Sequence, residues 1–199
     1  MLVLGTRNEK KKEEIVTILE GTGLEFGDLT QWPDVPEVVE DGATFQDNAE
    51  KKAKELARAI GHWVLAEDSG LVVPALKGQP GVYSARYAGR HGDDEANNAR
   101  LLAELSGVPD DQRGAYYVCV AALADPQGEV RGTVEGRCHG RIIHEAHATG
   151  GFGYDPLFLI PEYHRTFGEL TPRVKHALSH RARALTQLRP LLFRLVPRP

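Results

Sequence analysis

Apolar positions recur along this chain in two rhythms. "MLVL" opens as a short apolar run and gives way to Gly5, Thr6 and Asn8. In "EKKKEEIVTILEG", Ile15, Ile18, Leu19 and Thr22 continue a 3.6-residue stripe that Gly21 or Gly23 can end. The pattern predicts a strand, a tight loop and a helix starting near Asn8. A second helix is predicted over 44–60: Thr44 with Asp47 resembles a capping box, and Gly61 stops it. "HWVLAE" and "LVVPAL" read as strands on either side of an acidic turn at "EDSG". A third helix is predicted from about Asp93 to Ser106, closed by Gly107 and Pro109. "AYYVCVAALAD" and "EVRGTVEGR" read as strands joined at "DPQG", a hairpin signal. "GGFGYDPLFLIP" is a glycine-rich loop entering an apolar strand, and Thr171 then caps a long helix with Pro172 in its first turn. Strands and helices interleave, so the class is α/β with a mixed sheet.

Two cations break the apolar stripes. With Phe45 at zero and 100° per residue, Ala49, Ala53, Leu56 and Ile60 fall at about 20–80° and Lys52 at about −20°. A lysine there either snorkels, its stem packed and its ammonium in water, or delivers an ammonium to a polyanion. Val174, Leu178, Ala182, Leu185 and Leu192 form the stripe of the last helix, with Arg181 at about −20° from Val174. A buried guanidinium must be paired or face a ligand.

Composition narrows the class. At 199 residues, with 41% apolar and 26% charged content, the chain suits one soluble domain of two lobes around a cleft. Cys119 and Cys138 are too few for a disulfide framework or a zinc knuckle and read as reduced, partly buried thiols. "MLVLG" is too short for a signal peptide, and no apolar run approaches the roughly 18 residues of a membrane span. A cytoplasmic chain without a membrane partner is expected. The net charge of −4 is unevenly spread: Asp34–Glu50 holds six acids and no Lys or Arg, whereas His164–Pro199 holds eight Lys or Arg and one acid. Such patches are either two solvated surfaces of opposite sign or a site for a ligand carrying metal and phosphate.

The candidate chemistry follows from the polar interruptions. Glu67 and Asp68 are adjacent like charges, which a cation relieves. Oxygen-rich "VEDG" and "AEDSG" favour a hard cation such as Mg²⁺, which would sit in front of Glu67 and Asp68. "GTRNEKK" places small and polar groups where a strand feeds a helix. This is either a plain turn or an anion site built from free N–H groups, the helix dipole and Lys10 or Lys11. Ser69 lies in D-S-G-L, not in a G-x-S-x-G elbow. His139, His144 and His147, and likewise His176 and His180, lack zinc spacing and read as surface histidines.

Taken together, "TRNEKK", "EDGATFQDNAEKKA", "AEDSGL", "GQPGVYSARYAG", "TGGFGYDPLF" and "SHR", in this order, resemble the inosine triphosphate pyrophosphatase family nearly end to end. The resemblance implies an elongated mixed sheet with flanking helices, and a homodimer. The implied activity is hydrolysis of non-standard purine nucleoside triphosphates to monophosphate and pyrophosphate, with Mg²⁺. Carried over, Thr6, Arg7, Asn8, Glu9, Lys10 and Lys11 cradle the triphosphate, and Lys52 and Lys175 add charge to it. Glu40 and Asp68 hold the metal, with Asp68 as general base. Ser69 and Arg86 touch substrate. Phe152, Gly153, Tyr154 and Asp155, with His180 and Arg181, form the base pocket. Arg7 stands where the family's first motif ordinarily has glycine.

Two other readings remain. A single-stranded nucleic-acid binder would use the basic C-terminal helix and the aromatics Phe152 and Tyr154, but the acidic segment would repel its polyanion, so no stable nucleic-acid partner is expected. A housekeeping enzyme for pyrimidine or methylated nucleotides is the other.

Overall fold

A computed structural model describes residues 1–148 and 150–198; Thr149, the first residue of the quoted "TGGFGYDPLF" motif, lies outside the described residues. The chain alternates strands and helices: β1 (Leu2–Leu4), α1 (Glu9–Ile18), β2 (Phe26–Asp28), α2 (Phe45–Ile60), β3 (Trp63–Val72), α3 (Asp94–Glu104), β4 (Gly114–Ala124), β5 (Val130–Ile142), β6 (Phe158–Ile160), β7 (Arg165–Thr166), α4 (Pro172–Leu178) and α5 (His180–Leu195). The seven strands form one sheet in the order β2-β1-β3-β4-β5-β6-β7. β1 pairs in parallel with β2 and β3, whereas β6 is antiparallel to both β5 and β7. This is the mixed α/β sheet with flanking helices that the interleaved pattern predicts. Among the described residues no helix is long and apolar enough to cross a membrane.

Local chemistry explains the helices that matter for the site. Asn8 caps α1 by accepting the Lys11 N–H at 3.1 Å, and its own N–H donates to Thr6 Oγ1 at 3.2 Å. α2 opens on the expected capping box: Thr44 accepts from Asp47 N–H while the Asp47 carboxylate accepts from Thr44 N–H, each at 3.1 Å. It ends at Gly61.

Two expectations are corrected. "EDSG" is not a turn: Glu67, Asp68, Ser69 and Gly70 all lie within the continuous strand β3, flanked by β1 and β4. A central strand is covered on both faces and reads as an unbroken apolar run, so two acids and a glycine inside it look like punctuation. The long C-terminal helix is also two helices. Ser179, with an extended backbone (φ −63°, ψ 156°), ends α4, and α5 restarts at His180. Thr171 makes no side-chain cap bond. The stripe from Val174 to Leu192 is therefore not one helical face.

The chain divides into two compact units. The first comprises Met1–Asp68, Cys119–Gly136 and His180–Pro199, and the second Ser69–Val118 and Arg137–Ser179. Each has its own core. In the first, Leu2, Leu4, Ile15, Leu19, Leu65, Leu123 and Leu188 pack together. In the second, Leu71, Leu101, Tyr117, Phe158 and Phe167 do so, with the Tyr117 and Phe158 rings edge to face. Within the first unit α5 lies so close to β5 that a Cβ on Gly136 would stand 2.3 Å from the His180 carbonyl oxygen. Only glycine permits that approach, which seats the first turn of α5, and with it Arg181, in the interior.

Candidate active site

The first unit gathers the acids and most of the cations. Successive residues of a strand point to opposite faces, so Glu67 and Asp68 have different hydrogen-bond partners, although both carboxylates feel the charges of Lys11 and Lys52. Glu67 is buried. Its Oε1 lies 2.7 Å from Lys11 Nζ, its Oε2 lies 3.4 Å from Arg181 Nη2, and Cys119 Sγ donates to Oε2 at 3.3 Å. Arg181 also pairs with buried Glu14 on α1. Lys11, Glu67, Arg181 and Glu14 thus alternate in sign, two cations with two anions. Burial opposes every one of these charges, but their mutual attraction outweighs it. The Glu67 carboxyl is held well below its ordinary range against burial by Lys11 and Arg181, and the Lys11 ammonium is pushed up against burial by Glu67. The repulsion expected between Glu67 and Asp68 is relieved here by protein cations.

Asp68 has a different environment. Asn48 Nδ2 donates to its Oδ2 at 2.9 Å, while Asn48 Oδ1 accepts the Gly42 N–H at 2.8 Å, linking β3 to the acidic segment through α2. Four residues further along α2, Lys52 pairs with Glu40. Burial raises the Asp68 pKa and the nearby Glu40 charge adds to it, with Lys52 opposing. A carboxylate pushed up in this way is a better proton acceptor than an ordinary aspartate.

The donor set can be tested against Mg²⁺. That ion is held through one or two carboxylates plus substrate phosphates and keeps several waters, so Glu40 and Asp68, two repelling carboxylates, fit it. Glu67 does not fit, because both its oxygens face protein cations or a thiol. Among the described residues no group of three or more His, Cys, Asp and Glu is arranged to hold a metal.

The segment from Thr6 to Lys11 enters α1 as expected, with Thr6 half-buried and Arg7, Asn8, Glu9 and Lys10 exposed. Glu9 lies 2.6 Å from Lys12. Arg7 needs no left-handed backbone: the described non-glycine residues with positive φ are Lys77, Ala148 and His164. Its guanidinium donates to the Val35 carbonyl at 2.7 Å, tying the α1 entry to the acidic segment.

The second unit holds the other candidates. Asp155 Oδ2 accepts from the Phe152 N–H at 2.9 Å and from Lys175 Nζ at 2.7 Å, while Tyr117 Oη donates to Oδ1 at 3.4 Å. Lys175 Nζ stands 4.5 Å from the Phe152 ring centroid. Lys175, expected at the triphosphate, therefore belongs with Phe152 and Asp155, whereas Lys11 and Lys52 belong to the first unit, and with them His180 and Arg181, expected at the base. Tyr154 Oη donates to the Ser84 carbonyl at 2.8 Å. A Cβ on Gly151, at φ +77°, would lie 2.1 Å from Asp155 Oδ2, so the loop can close around that carboxylate only with glycine there. Ser69 is half-buried on β3, and the Arg86 guanidinium lies 5.3 Å from the Tyr83 ring centroid.

His180 corrects the surface-histidine reading of its pair: it is buried at the start of α5, whereas His139, His144 and His147 are exposed. Both cysteines are free and buried. Sequence reasoning missed Glu14 and Asn48. Asn48 had a signal, since it sits four residues before Lys52 on one edge of α2. Glu14 had none, because its partner is 167 residues away.

Known proteins resemble this chain over nearly its whole length. A dITP/XTP pyrophosphatase of Rhodopirellula baltica is 58% identical over 195 residues, covering 98% of this chain and 94% of that protein. A HAM1 protein of Coxiella burnetii has a solved structure that matches with a TM-score of 0.88 at 37% identity, covering 97% of this chain and 98% of its own. A nucleoside-triphosphatase, or dITP/XTP pyrophosphatase, of Mycobacterium abscessus matches with a TM-score of 0.78 at 48% identity, over 96% and 98% of the two chains. The Ham1 family profile matches residues 2–191. With that span and these identities, the chain belongs to the Ham1 family.

Proposed function

We propose that this chain hydrolyses non-standard purine nucleoside triphosphates, those of inosine, deoxyinosine and xanthosine, to the monophosphate and pyrophosphate. The observation that carries the reading is Asp68: a buried carboxylate with a raised pKa, held by Asn48, beside Glu40 and Lys52. Relatives named dITP/XTP pyrophosphatase over nearly the whole chain support it.

In the reaction, a water oxygen attacks the α-phosphorus and Asp68 takes the proton it loses. The bond from the α-phosphorus to its β-bridging oxygen breaks, and pyrophosphate leaves. Lys11, anchored by Glu67, and Lys52, exchanging Glu40 for phosphate, stabilise the growing charge; phosphoryl transfer depends on positioning and charge more than on covalent help. Thr6 to Lys11 bind phosphate through the N-terminal N–H groups of α1. Glu40 and Asp68 would hold Mg²⁺, which when bound neutralises phosphate charge.

Base recognition is assigned to the second unit, with Phe152 as stacking surface and Lys175 as donor. An ammonium donates and never accepts, so it suits a purine with a six-position carbonyl and not the amino group of adenine. Sites of this kind reject the wrong partner by roughly 10⁴-fold. Inosine and xanthosine triphosphates are the good substrates; guanosine triphosphate, which shares the six-position carbonyl, is a poor one because pocket groups near Asp155 penalise its two-position amino group, and adenosine triphosphate is the worst. The working form is proposed to be a homodimer, as the family resemblance implies, acting in the cytoplasm.

A screen of nucleoside triphosphates, with pyrophosphate and orthophosphate both measured, tests this. Pyrophosphate in equal amount to monophosphate from inosine triphosphate is the expected result. Orthophosphate as the first product, or no cleavage of any purine triphosphate, overturns it.

A further inference from the structure

The backbone of one residue in the second unit, Gly153, is held at both its N–H and its C=O by a helix not otherwise assigned to the site. On α3, Asp94 Oδ2 accepts the Gly153 N–H at 2.8 Å, and Asn98 Nδ2 donates to the Gly153 carbonyl at 2.9 Å. The two side chains are four residues apart, hence on one face of α3. The backbone N–H and C=O of a loop residue are normally met by backbone or water; here two different side chains of one helix meet both groups of Gly153. Asn98 makes this contact at a cost, since its Oδ1 is buried without a hydrogen-bond partner among the described residues. The bond to a carbonyl also fixes which end of the amide faces Gly153.

The grip sits next to the residue that needs it. On the other side, the Phe152 N–H is held by Asp155 Oδ2, the same oxygen that receives Lys175. The backbone bearing the Phe152 ring is thus fixed at its own N–H and at both polar groups of the following residue. The Tyr154 hydroxyl, bonded to the Ser84 carbonyl, fixes the next residue along.

We infer that Asp94 and Asn98 are positioning residues for base selectivity: by clamping Gly153 they keep the Phe152 ring at its spacing from Lys175. The inference rests on the reading of Phe152 and Lys175 as the base-recognising pair. Neither residue touches the acids or cations assigned to phosphate chemistry, so their loss acts on binding of the base. Asp94→Ala and Asn98→Leu are expected to raise the KM for inosine triphosphate about tenfold and to narrow the inosine to adenosine preference by a similar factor, with kcat changed less than about threefold. Asp94→Asn keeps an accepting oxygen and is expected to restore both.

The test measures pyrophosphate release from inosine and adenosine triphosphates by the whole protein and each variant, with thermal unfolding alongside. A lowered Tm with an unchanged KM and preference assigns the clamp to stability alone and overturns the inference. So does an Asp94→Asn variant as impaired as Asp94→Ala. Where Asp94→Ala does not fold, Asn98→Ser, a smaller change, gives the same decision. Wild-type protein that cleaves neither nucleotide overturns the functional reading itself, and this inference with it.

Discussion

The two units arrange their buried polar groups in opposite ways. In the first, four side-chain charges alternate, Lys11, Glu67, Arg181 and Glu14, drawn from α1, β3 and α5. In the second, one ion pair, Lys175 with Asp155, is embedded in backbone bonds and aromatic rings. The first construction balances charge; the second shapes a loop. A charge network of that kind can hold a lysine rigidly beside a polyanion, because breaking any member strands the others. A loop held by backbone bonds and rings can present a flat surface with one oriented donor, which suits a base. The contrast predicts that damage in the first unit alters turnover or stability, and damage in the second alters which nucleotide is accepted.

The strongest blow to that contrast is Asp68→Asn, which removes the proton acceptor while keeping the Asn48 contact sterically possible. Pyrophosphate release from inosine triphosphate is expected to fall at least about 10³-fold with little change in Tm. Full activity at saturating Mg²⁺ removes Asp68 from the chemistry. Arg181→Met comes next and acts on stability, leaving Glu67 and Glu14 short of a cation. Denaturant unfolding should show a loss of about 3–5 kcal/mol at neutral pH. Glu67 has a depressed pKa, so its contribution is present above its ordinary value of 4.5 and is lost as pH falls. The gap between wild type and Arg181→Met should accordingly narrow in acid, and a pH-independent gap would detach Arg181 from Glu67.

Lys52→Met separates packing from chemistry on α2. A snorkelling lysine makes this change neutral or mildly stabilising, whereas a phosphate contact makes it cost on the order of 10²-fold in kcat/KM without lowering Tm. We expect the second result, and unchanged kinetics would return Lys52 to the surface. The smallest effect belongs to the second unit. Lys175→Met should narrow the inosine to adenosine triphosphate ratio about tenfold, through the inosine KM, because it removes a donor that favours the six-oxo group. A proportional loss for both nucleotides would move Lys175 to the phosphates.

Much of this protein is legible before folding is considered. The stripe of α2, its capping box and its closing glycine are local, set by side chains within four residues of one another, and the structure reproduces them at Thr44, Asp47 and Gly61. The interleaved strands and helices are equally local, and six motifs in order are enough for the family. The break at Ser179 was hidden because neither glycine nor proline marks it. Glu67 and Asp68 read as a turn for a related reason: two acids before a glycine look like punctuation, yet they lie inside β3 and strand alternation gives each its own hydrogen-bond partners. What only the tertiary structure decided is which charge answers which. Arg181 meets Glu14 across 167 residues, and Asp68 meets Asn48 across 20, because the strand order brings α1, α2 and α5 to β3 and burial then forces each charge to find a partner of opposite sign or a hydrogen bond. Sequence spacing carries no record of such pairings, since the energy that selects them arises only once water has been excluded.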